Sequence, residues 1–199
     1  MDNLGRKPHF GNRRAPTLWT LTTAAGIAGI LAMTPLIARQ AKPGGLPVIV
    51  VDTVKGAIEV QLFQADAPKS VEHLLALVRR DFYRGHRIHR VTASLVQFGD
   101  PNTRDMSRRD YWGKAGSGVP IGVFESSKKR LHVRGAVGFA HSGNPASADS
   151  QIYFMKAASP GLDGKHAVIG QVVSGMAVVD KLQETDIVKS VSIKGAGPK

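Results

Sequence analysis

Arg90 is the side chain whose position in this sequence most strongly indicates chemistry. It lies in the apolar run Ile88-His89-Arg90-Val91, where a permanent charge is costly unless it has a role. A guanidinium group offers rigid, forked hydrogen-bond donors and keeps its charge across the physiological pH range. The chain contains no cysteine, which excludes a thiolate nucleophile, a disulfide and a cysteine-based metal site. Arg90 is therefore a candidate for a fixed hydrogen-bond donor in an active site.

Three further blocks follow this run along the chain. They are Gln97-Phe98-Gly99-Asp100, then Ser150-Gln151-Ile152-Tyr153-Phe154, then Leu162-Asp163-Gly164-Lys165-His166. Taken in this order, the four blocks resemble the cyclophilin-type peptidyl-prolyl isomerases, whose pattern reads F-H-R-V, Q-G-G-D, S-Q-F-F-I and L-D-G-K-H. Several ordered blocks are a specific signal, and the resemblance extends over residues 47–191.

The resemblance implies a mainly β fold, a closed eight-stranded antiparallel β-barrel capped by two helices. It makes Arg90 the catalytic residue and requires no cofactor. We also predict no metal site, because His86 and His89 would face opposite sides of a strand. His89 itself is expected to be a buried histidine with hydrogen bonds inside the barrel. The resemblance assigns substrate binding to Gln97, Ala140, Gln151, Tyr153, Leu162, His166 and Leu95.

The implied reaction explains why an arginine suits the site. Rotation about a peptide bond has a barrier of about 18–20 kcal/mol, because resonance gives the C–N bond double-bond character. No bond is made or broken, so the reaction needs no nucleophile, general base or metal. A fixed donor assists by hydrogen bonding to the amide nitrogen, which becomes pyramidal as the bond twists. We expect Gln97 and Gln151 to orient Arg90 or to bind substrate carbonyl groups.

The sequence also departs from the family pattern. The spacing from Arg90 to Gln97 is one residue shorter than usual, and the family's pocket phenylalanine aligns with Ser94 or Leu95. The loss of that aromatic wall would weaken proline binding by about 1–3 kcal/mol. Phe98 replaces a glycine, and His141 replaces an asparagine. The alternative to an active isomerase is therefore a weakly active or inactive module that binds proline-containing partners.

Hydrophobic periodicity predicts the elements that must position these residues. A long loop is expected over residues 99–120. One helix should begin at Pro68 and end near Arg84-Gly85, and a second should cover 176–182 with Ser174 as its N-cap. Strands are predicted at residues 48–51, 57–63, 88–98, 135–141, 151–156, 167–173 and 187–193, with Lys55-Gly56 in the first turn.

The chain is predicted to have four parts. Residues 1–16 form a basic N-terminal segment, residues 17–38 an uncharged apolar run, residues 39–46 a linker, and residues 47–199 the isomerase domain. As a helix, the 22-residue run would reach about 33 Å, which matches a hydrocarbon core of about 30 Å. The exit from the run lacks the small-residue pair of a cleaved signal, so an uncleaved anchor is favoured over a signal sequence.

Either interpretation carries the domain out of the cytoplasm. The prediction is a single-pass cell-membrane protein with its isomerase domain on the periplasmic or extracytoplasmic side, or alternatively a periplasmic protein released after cleavage. The net charge is +12, but no basic stripe interleaved with aromatic residues is apparent, so nucleic-acid binding is not expected. The expected partners are X-Pro-containing unfolded or maturing polypeptides and, through residues 17–38, the membrane. We expect a monomer.

Overall fold

Eight antiparallel strands form a single curled sheet in the computed structural model, which describes residues 46–196. Their order across the sheet is β3-β4-β6-β5-β7-β2-β1-β8. Two α-helices accompany the sheet, α1 packing against β8 and α2 against β2. The strands are β1 Val48–Thr53, β2 Gly56–Leu62, β3 Arg90–Val91, β4 Leu95–Phe98, β5 Ala136–Phe139, β6 Ile152–Met155, β7 Val168–Ser174 and β8 Val188–Ile193, and the helices are α1 Pro68–Arg79 and α2 Met176–Lys181.

Alternating apolar residues place the core on one face of the first hairpin. Ile58, Val60 and Leu62 of β2 are fully buried, while Glu59 and Gln61 between them are partly exposed. The turn is at Lys55-Gly56, as predicted, and Gly56 has a φ of +130°. The side chain of Thr53 fixes this turn by donating to the Gly56 carbonyl at 2.7 Å.

Helix α1 is shorter than the sequence indicated. It ends at Arg79, whereas the apolar periodicity continues to Phe82. Asp81 adopts a left-handed conformation with φ +56°. The N–H of Phe82 donates to the Leu77 carbonyl at 3.1 Å, and that of Asp81 donates to the Val78 carbonyl at 3.0 Å. This is a Schellman motif in which Asp81 occupies the left-handed position that is usually a glycine.

The single strand predicted over residues 88–98 is a hairpin of β3 and β4. Thr92 makes the turn, since its hydroxyl accepts hydrogen bonds from the N–H groups of Ser94 at 3.2 Å and Leu95 at 3.1 Å. A threonine can bend the chain in this way without glycine or proline. The hairpin makes Arg90 and Gln97 direct cross-strand neighbours.

The continuous closed barrel is not formed, because β3 and β8 stand at the two ends of the strand order. One isolated antiparallel bridge, between Arg87 and Ile187, joins the segments that precede these two strands. The predicted N-cap at Ser174 was also wrong. Ser174 is the last residue of β7, and Gly175, with φ +87°, begins α2 without a side-chain cap. Glycine is required there because a Cβ atom would lie 2.4 Å from the Ala57 carbonyl oxygen.

No helix within residues 46–196 is long and apolar enough to cross a membrane. The predicted basic segment at 1–16, the apolar run at 17–38 and all but the last residue of the linker at 39–46 lie outside the described residues.

His86 is a histidine in the core without hydrogen bonds from its ring. Its side chain is fully buried, and neither ring nitrogen has a hydrogen-bond partner among the described residues. Its ring lies edge-on to Phe82 and Tyr83, with centroids 5.0 and 5.8 Å away. Burial, followed by the nearby charges of Arg104 and His89, lowers the pKa of His86 to about 3. The folded protein therefore holds this ring neutral.

Acidification should consequently destabilise the fold through His86. Below the unfolded-state pKa of about 6.5, the unfolded chain binds a proton that the folded chain refuses until about pH 3. Stability therefore falls as the pH falls through this window, by about 2–3 kcal/mol at pH 4.5 from this group. Urea unfolding at pH 7 and 4.5 should show a drop smaller by that amount in His86→Phe, which keeps the ring contacts. Equal drops in both proteins would contradict the assignment.

Candidate functional site

A groove of about 790 Å³ opens over the β3–β4 hairpin and β6. Its walls come from the ends of these strands, from the loop at residues 112–116, and from residues 140–142 and 147–150. All eight residues that the sequence analysis assigned to the site line this groove: Arg90, Leu95, Gln97, Ala140, Gln151, Tyr153, Leu162 and His166.

A chain of hydrogen bonds runs along one wall from Arg90. The Nη1 atom of Arg90 donates to Gln97 Oε1 at 3.2 Å, and Gln97 Nε2 donates to Gln151 Oε1 at 2.8 Å. Gln151 Nε2 then donates to the carbonyl groups of Gly113 at 3.0 Å and Ala115 at 2.8 Å. Because a guanidinium can only donate, it fixes the orientation of both amides. Every hydrogen bond in this series therefore donates in the same direction, from the Arg90 guanidinium toward the loop at residues 112–116.

Arg90 is exposed at the rim of the groove and is held at only one nitrogen. Its other N–H groups have no hydrogen-bond partner within residues 46–196. Gln97, by contrast, is 7% exposed and has a partner at both its amide oxygen and its amide nitrogen. The geometry thus presents a positioned cation with free donors toward the groove.

An apolar floor lies beside this charge. Tyr153 and Leu95 belong to a small cluster with Phe63 and Met155, against which Ala140 and Leu162 pack. Of the two residues that could align with the missing pocket phenylalanine, Leu95 lines the groove and Ser94 lies in the Thr92 turn. Leu95 therefore gives the floor an aliphatic surface where the family pattern has an aromatic ring.

The position of Phe98, where the family pattern has glycine, is explained by the core. Its side chain is fully buried and its ring packs against Tyr83 and Phe154, with centroids 5.6 and 5.7 Å away. Phe98 therefore lies on the core side of the sheet and takes no space from the groove. The next residue, Gly99, must lack a side chain, because a Cβ atom would lie 2.3 Å from the Ser150 carbonyl oxygen.

Tyr153 is hydrogen-bonded through its hydroxyl to a chain of two residues, His132 and Asp163, to which the sequence patterns assigned no role. Its hydroxyl is 2.7 Å from His132 Nε2, and His132 Nδ1 is 2.8 Å from Asp163 Oδ1. These partners make Nδ1 the protonated nitrogen of His132 and the Tyr153 hydroxyl the donor to Nε2. Gly138 leaves room for the hydroxyl, since a Cβ atom there would lie 2.4 Å from it.

This Tyr153–His132–Asp163 chain lies behind the floor. Tyr153 is 2% exposed and His132 is also 2% exposed. Burial, followed by the charge of Asp163, raises the pKa of the Tyr153 hydroxyl, which therefore stays protonated. Hydrogen bonds from the backbone N–H and the ring of His132 lower the pKa of Asp163. The chain fixes the plane of the Tyr153 ring, whereas His132 and Asp163 themselves do not line the groove.

Two histidines stack at the opposite edge of the groove. The rings of His141 and His166 lie 4.1 Å apart, and His141 Nε2 is 2.9 Å from the Lys165 carbonyl oxygen. Partial burial, followed by repulsion from His141, lowers the pKa of His166. His166 therefore presents a neutral ring at pH 7, and the histidine at position 141 supplies its stacking partner.

The expectation of a buried, hydrogen-bonded His89 is met only in part. Its ring nitrogens are buried, and burial lowers its pKa against an opposing contribution from Gln151, but neither nitrogen has a partner at regular hydrogen-bond geometry within residues 46–196. Its side chain instead lines the groove and lies 3.4 Å from the position that a Cβ atom at Gly113 would take. His89 thus serves as packing beneath the loop.

Comparison with known proteins gives one consistent result. The family model for "Cyclophilin type peptidyl-prolyl cis-trans isomerase/CLD" matches residues 48–197. A peptidyl-prolyl cis-trans isomerase of Helicobacter pylori is 35% identical over 144 residues, which cover 71% of this chain and 83% of that protein. A probable peptidyl-prolyl cis-trans isomerase of Brucella suis is 37% identical over 143 residues, covering 70% and 72%.

Solved structures agree on the fold. A cyclophilin type peptidyl-prolyl cis-trans isomerase of Cryptosporidium parvum has a TM-score of 0.65 at 21% identity, covering 77% of this chain and 99% of its own. The same protein was solved in the presence of the dipeptide Ala-Pro, with a TM-score of 0.64 at 22% identity and coverage of 75% and 99%. The curled sheet of this chain therefore has the cyclophilin fold. The chain belongs to the family of cyclophilin-type peptidyl-prolyl cis-trans isomerases.

The variant Tyr153→Phe tests the chain behind the floor. It keeps the ring but leaves His132 Nε2 buried without a donor, which should cost about 1–3 kcal/mol of unfolding free energy. The same substitution made in a His132→Leu background should cost less, because the partner is already gone. Urea unfolding of the four proteins gives the coupling energy. A coupling near zero would mean that the two side chains do not stabilise each other.

Proposed function

We propose that Arg90 is the catalytic residue of this isomerase and that its substrates are X-Pro bonds in unfolded or maturing polypeptides. The observation that carries the proposal is the state of the Arg90 guanidinium, which Gln97 anchors at one nitrogen while its remaining donors stay free beside an apolar floor. A group of this kind can donate to an amide nitrogen while a proline ring rests on the floor.

The mechanism follows from the electronic change during rotation. In the planar amide, the nitrogen lone pair is delocalised into the carbonyl group. At the twisted transition state it is localised, so the nitrogen accepts a hydrogen bond that it could not accept before. A donor already in place therefore binds the transition state more strongly than either planar isomer. No proton is transferred, which is why a permanently charged guanidinium serves better than a titrating group.

The apolar floor and the hydrogen-bonded wall have different roles: the floor positions the substrate and the wall restrains Arg90. Leu95, Tyr153 and Leu162 offer apolar contact to the proline ring, which fixes the position of the imide bond relative to Arg90. The chain through Gln97 and Gln151 restrains the guanidinium, because its movement would leave buried amide groups unpaired.

A second candidate function has one observation in its favour. Leu95 lines the groove where the family pattern has an aromatic residue nearby, and a proline ring that is positioned less precisely beside Arg90 would turn over more slowly. A module that holds proline-containing partners with little turnover would use the same groove. The free donors of Arg90 favour the enzyme, since a binding module has no need of a donor aimed at the imide nitrogen.

The location proposed for this activity is outside the cytoplasm. The uncharged run at residues 17–38 is long enough for a membrane anchor, and the basic residues that precede it favour a cytoplasmic N-terminus. In this arrangement the isomerase domain would meet polypeptides that emerge on the periplasmic or extracytoplasmic side. Release into the periplasm after cleavage is the alternative.

Replacement of Arg90 tests the mechanism. Arg90→Ala should lower kcat/KM for X-Pro peptides by about 10- to 1000-fold, equivalent to about 1.4–4 kcal/mol of transition-state stabilisation. The variant should still fold, because the side chain is exposed, but it should lose about 1–3 kcal/mol of unfolding free energy, because the buried Gln97 amide loses one donor. Arg90→Lys should give an intermediate rate, since an ammonium lacks the forked donors. Exchange NMR measures the cis–trans rates directly. An unchanged rate in folded Arg90→Ala would refute the mechanism, and peptide binding without acceleration by the native protein would favour the binding module.

Membrane fractionation tests the location. The full-length chain should stay with the membranes through high-salt and carbonate washes, because an apolar helix of about 20 residues is not held by charge. Immunoblotting of the washed membranes and of the supernatant provides the measurement. A soluble product that begins near Ala41 would instead establish a cleaved signal.

A further inference from the structure

The loop beside the groove carries an exposed cluster of cations and aromatic rings that the reaction does not use. The Arg108 guanidinium lies 5.9 Å from the centre of the Tyr111 ring, and Lys114 Nζ lies 5.6 Å from the same ring. Tyr111 is 58% exposed. We call Arg108, Tyr111 and Lys114 the basic loop cluster. Its charges follow no regular spacing, so the cluster is not apparent from the amino-acid sequence.

Neither cation of this cluster forms an ion pair among the described residues, although Arg108 lies near enough to Asp105 to help lower the pKa of that carboxyl. Within residues 46–196, neither Arg108 nor Lys114 has a carboxylate within ion-pair distance. The neighbouring Arg109 differs, since it pairs with Glu184 at 3.3 Å and lies over Trp112 at 5.7 Å. Arg109 is therefore satisfied by the protein itself, whereas the other two cations are available to a ligand.

The loop is already built in the shape that presents these cations. The carboxylate of Asp105 accepts from the Ser107 N–H at 2.8 Å, and Trp112 Nε1 donates to the Asp105 carbonyl at 3.2 Å. Its far end is held by Gln151, which donates to the Gly113 carbonyl at 3.0 Å. A ligand would therefore meet a preformed surface and would not have to order it.

The cluster is continuous with the groove. Lys114 lines the groove together with Trp112 and Gly113. The one carboxylate among the lining residues is Asp149, which is already bound by the Ser117 hydroxyl at 2.5 Å and the Gly118 N–H at 2.9 Å. A polypeptide that leaves the groove past Lys114 therefore meets two cations without an ion pair and an exposed ring.

We propose that the basic loop cluster selects substrates that carry aspartate or glutamate next to the X-Pro bond. This inference rests on the proposed function, because it assigns a substrate preference to the same groove. The carboxylate would pair with Lys114 and Arg108, while the aliphatic part of its side chain would lie on Tyr111. A nucleic acid fits the surface less well, because strand binding needs a track of several cations and stacking rings.

Matched peptides test this preference on the full-length chain. The series is a set of eight-residue X-Pro peptides with a single glutamate at successive positions on either side of the proline, each paired with its glutamine counterpart. Exchange NMR gives kcat/KM for each peptide. At least one position should show a glutamate-to-glutamine ratio of about 2 to 10 at low ionic strength, since two exposed ion pairs supply effects of this size. The ratio should fall toward one in 0.5 M salt.

Two charge-matched variants localise the effect. Arg108→Gln combined with Lys114→Gln should bring the ratio to one. Lys128→Gln combined with Lys129→Gln removes the same charge from exposed positions outside the groove lining and should keep the ratio. A ratio retained without Arg108 and Lys114, or lost equally in both variants, would overturn the assignment.

The outcomes also separate the inference from the function on which it rests. If the native chain accelerates no peptide, the proposed function fails. If it accelerates all peptides with ratios near one at every position, the preference alone fails. Titration with a fluorescent single-stranded oligonucleotide tests the alternative that the cluster binds nucleic acid. Binding that is lost in the Arg108 and Lys114 variant but kept in the control, together with peptide ratios of one, would replace the acidic substrate with a nucleic acid.

Discussion

The site depends on the pairing of Arg90 with Gln97 across a two-residue strand. A shift of one residue in that register would turn the arginine toward the opposite face of the sheet. The Thr92 turn prevents such a shift, because its hydroxyl binds the backbone on the far side of the bend. This pair sets which atoms of the Gln97 and Gln151 amides donate and which accept. The loop carbonyls at Gly113 and Ala115 are thereby coupled to the position of the charge.

Much of the fold was predictable because burial follows the side-chain period. The alternation in β2 and the apolar face of α1 matched the structure. The errors arose at turns and helix ends formed by residues that are not typical of those positions. Asp81 ends a helix in a left-handed conformation, and a Thr-Ala-Ser segment makes a tight turn. The expected closure of the sheet was wrong, and the sequence could not show this, since the only bridge between the two sheet ends joins segments about 100 residues apart within the described residues.

The residues of the groove were more predictable than their support. The ordered motifs contain six of the eight lining residues that we named, and alignment with the family pattern added Leu95 and Ala140, but such patterns describe the surface that faces a ligand. His132 and Asp163 lie behind that surface. The signal that could have revealed them is Tyr153 itself, because a tyrosine in a buried position requires a partner for its hydroxyl. Likewise, the cations of the basic loop cluster belong to a loop without regular periodicity, so only the structure shows that they share one ring.

The bridge between Arg87 and Ile187 has a consequence for how this protein behaves in contact with other chains. Next to it, the N–H of Val188 donates to the His86 carbonyl at 2.8 Å, and the N–H of Gly85 donates to the Val188 carbonyl at 2.9 Å. These bonds occupy backbone groups that an open sheet would leave exposed at the start of β8. An exposed edge can recruit strands from foreign chains and seed aggregation. The start of β8 therefore offers few free backbone groups to which a foreign extended polypeptide could add as a further strand.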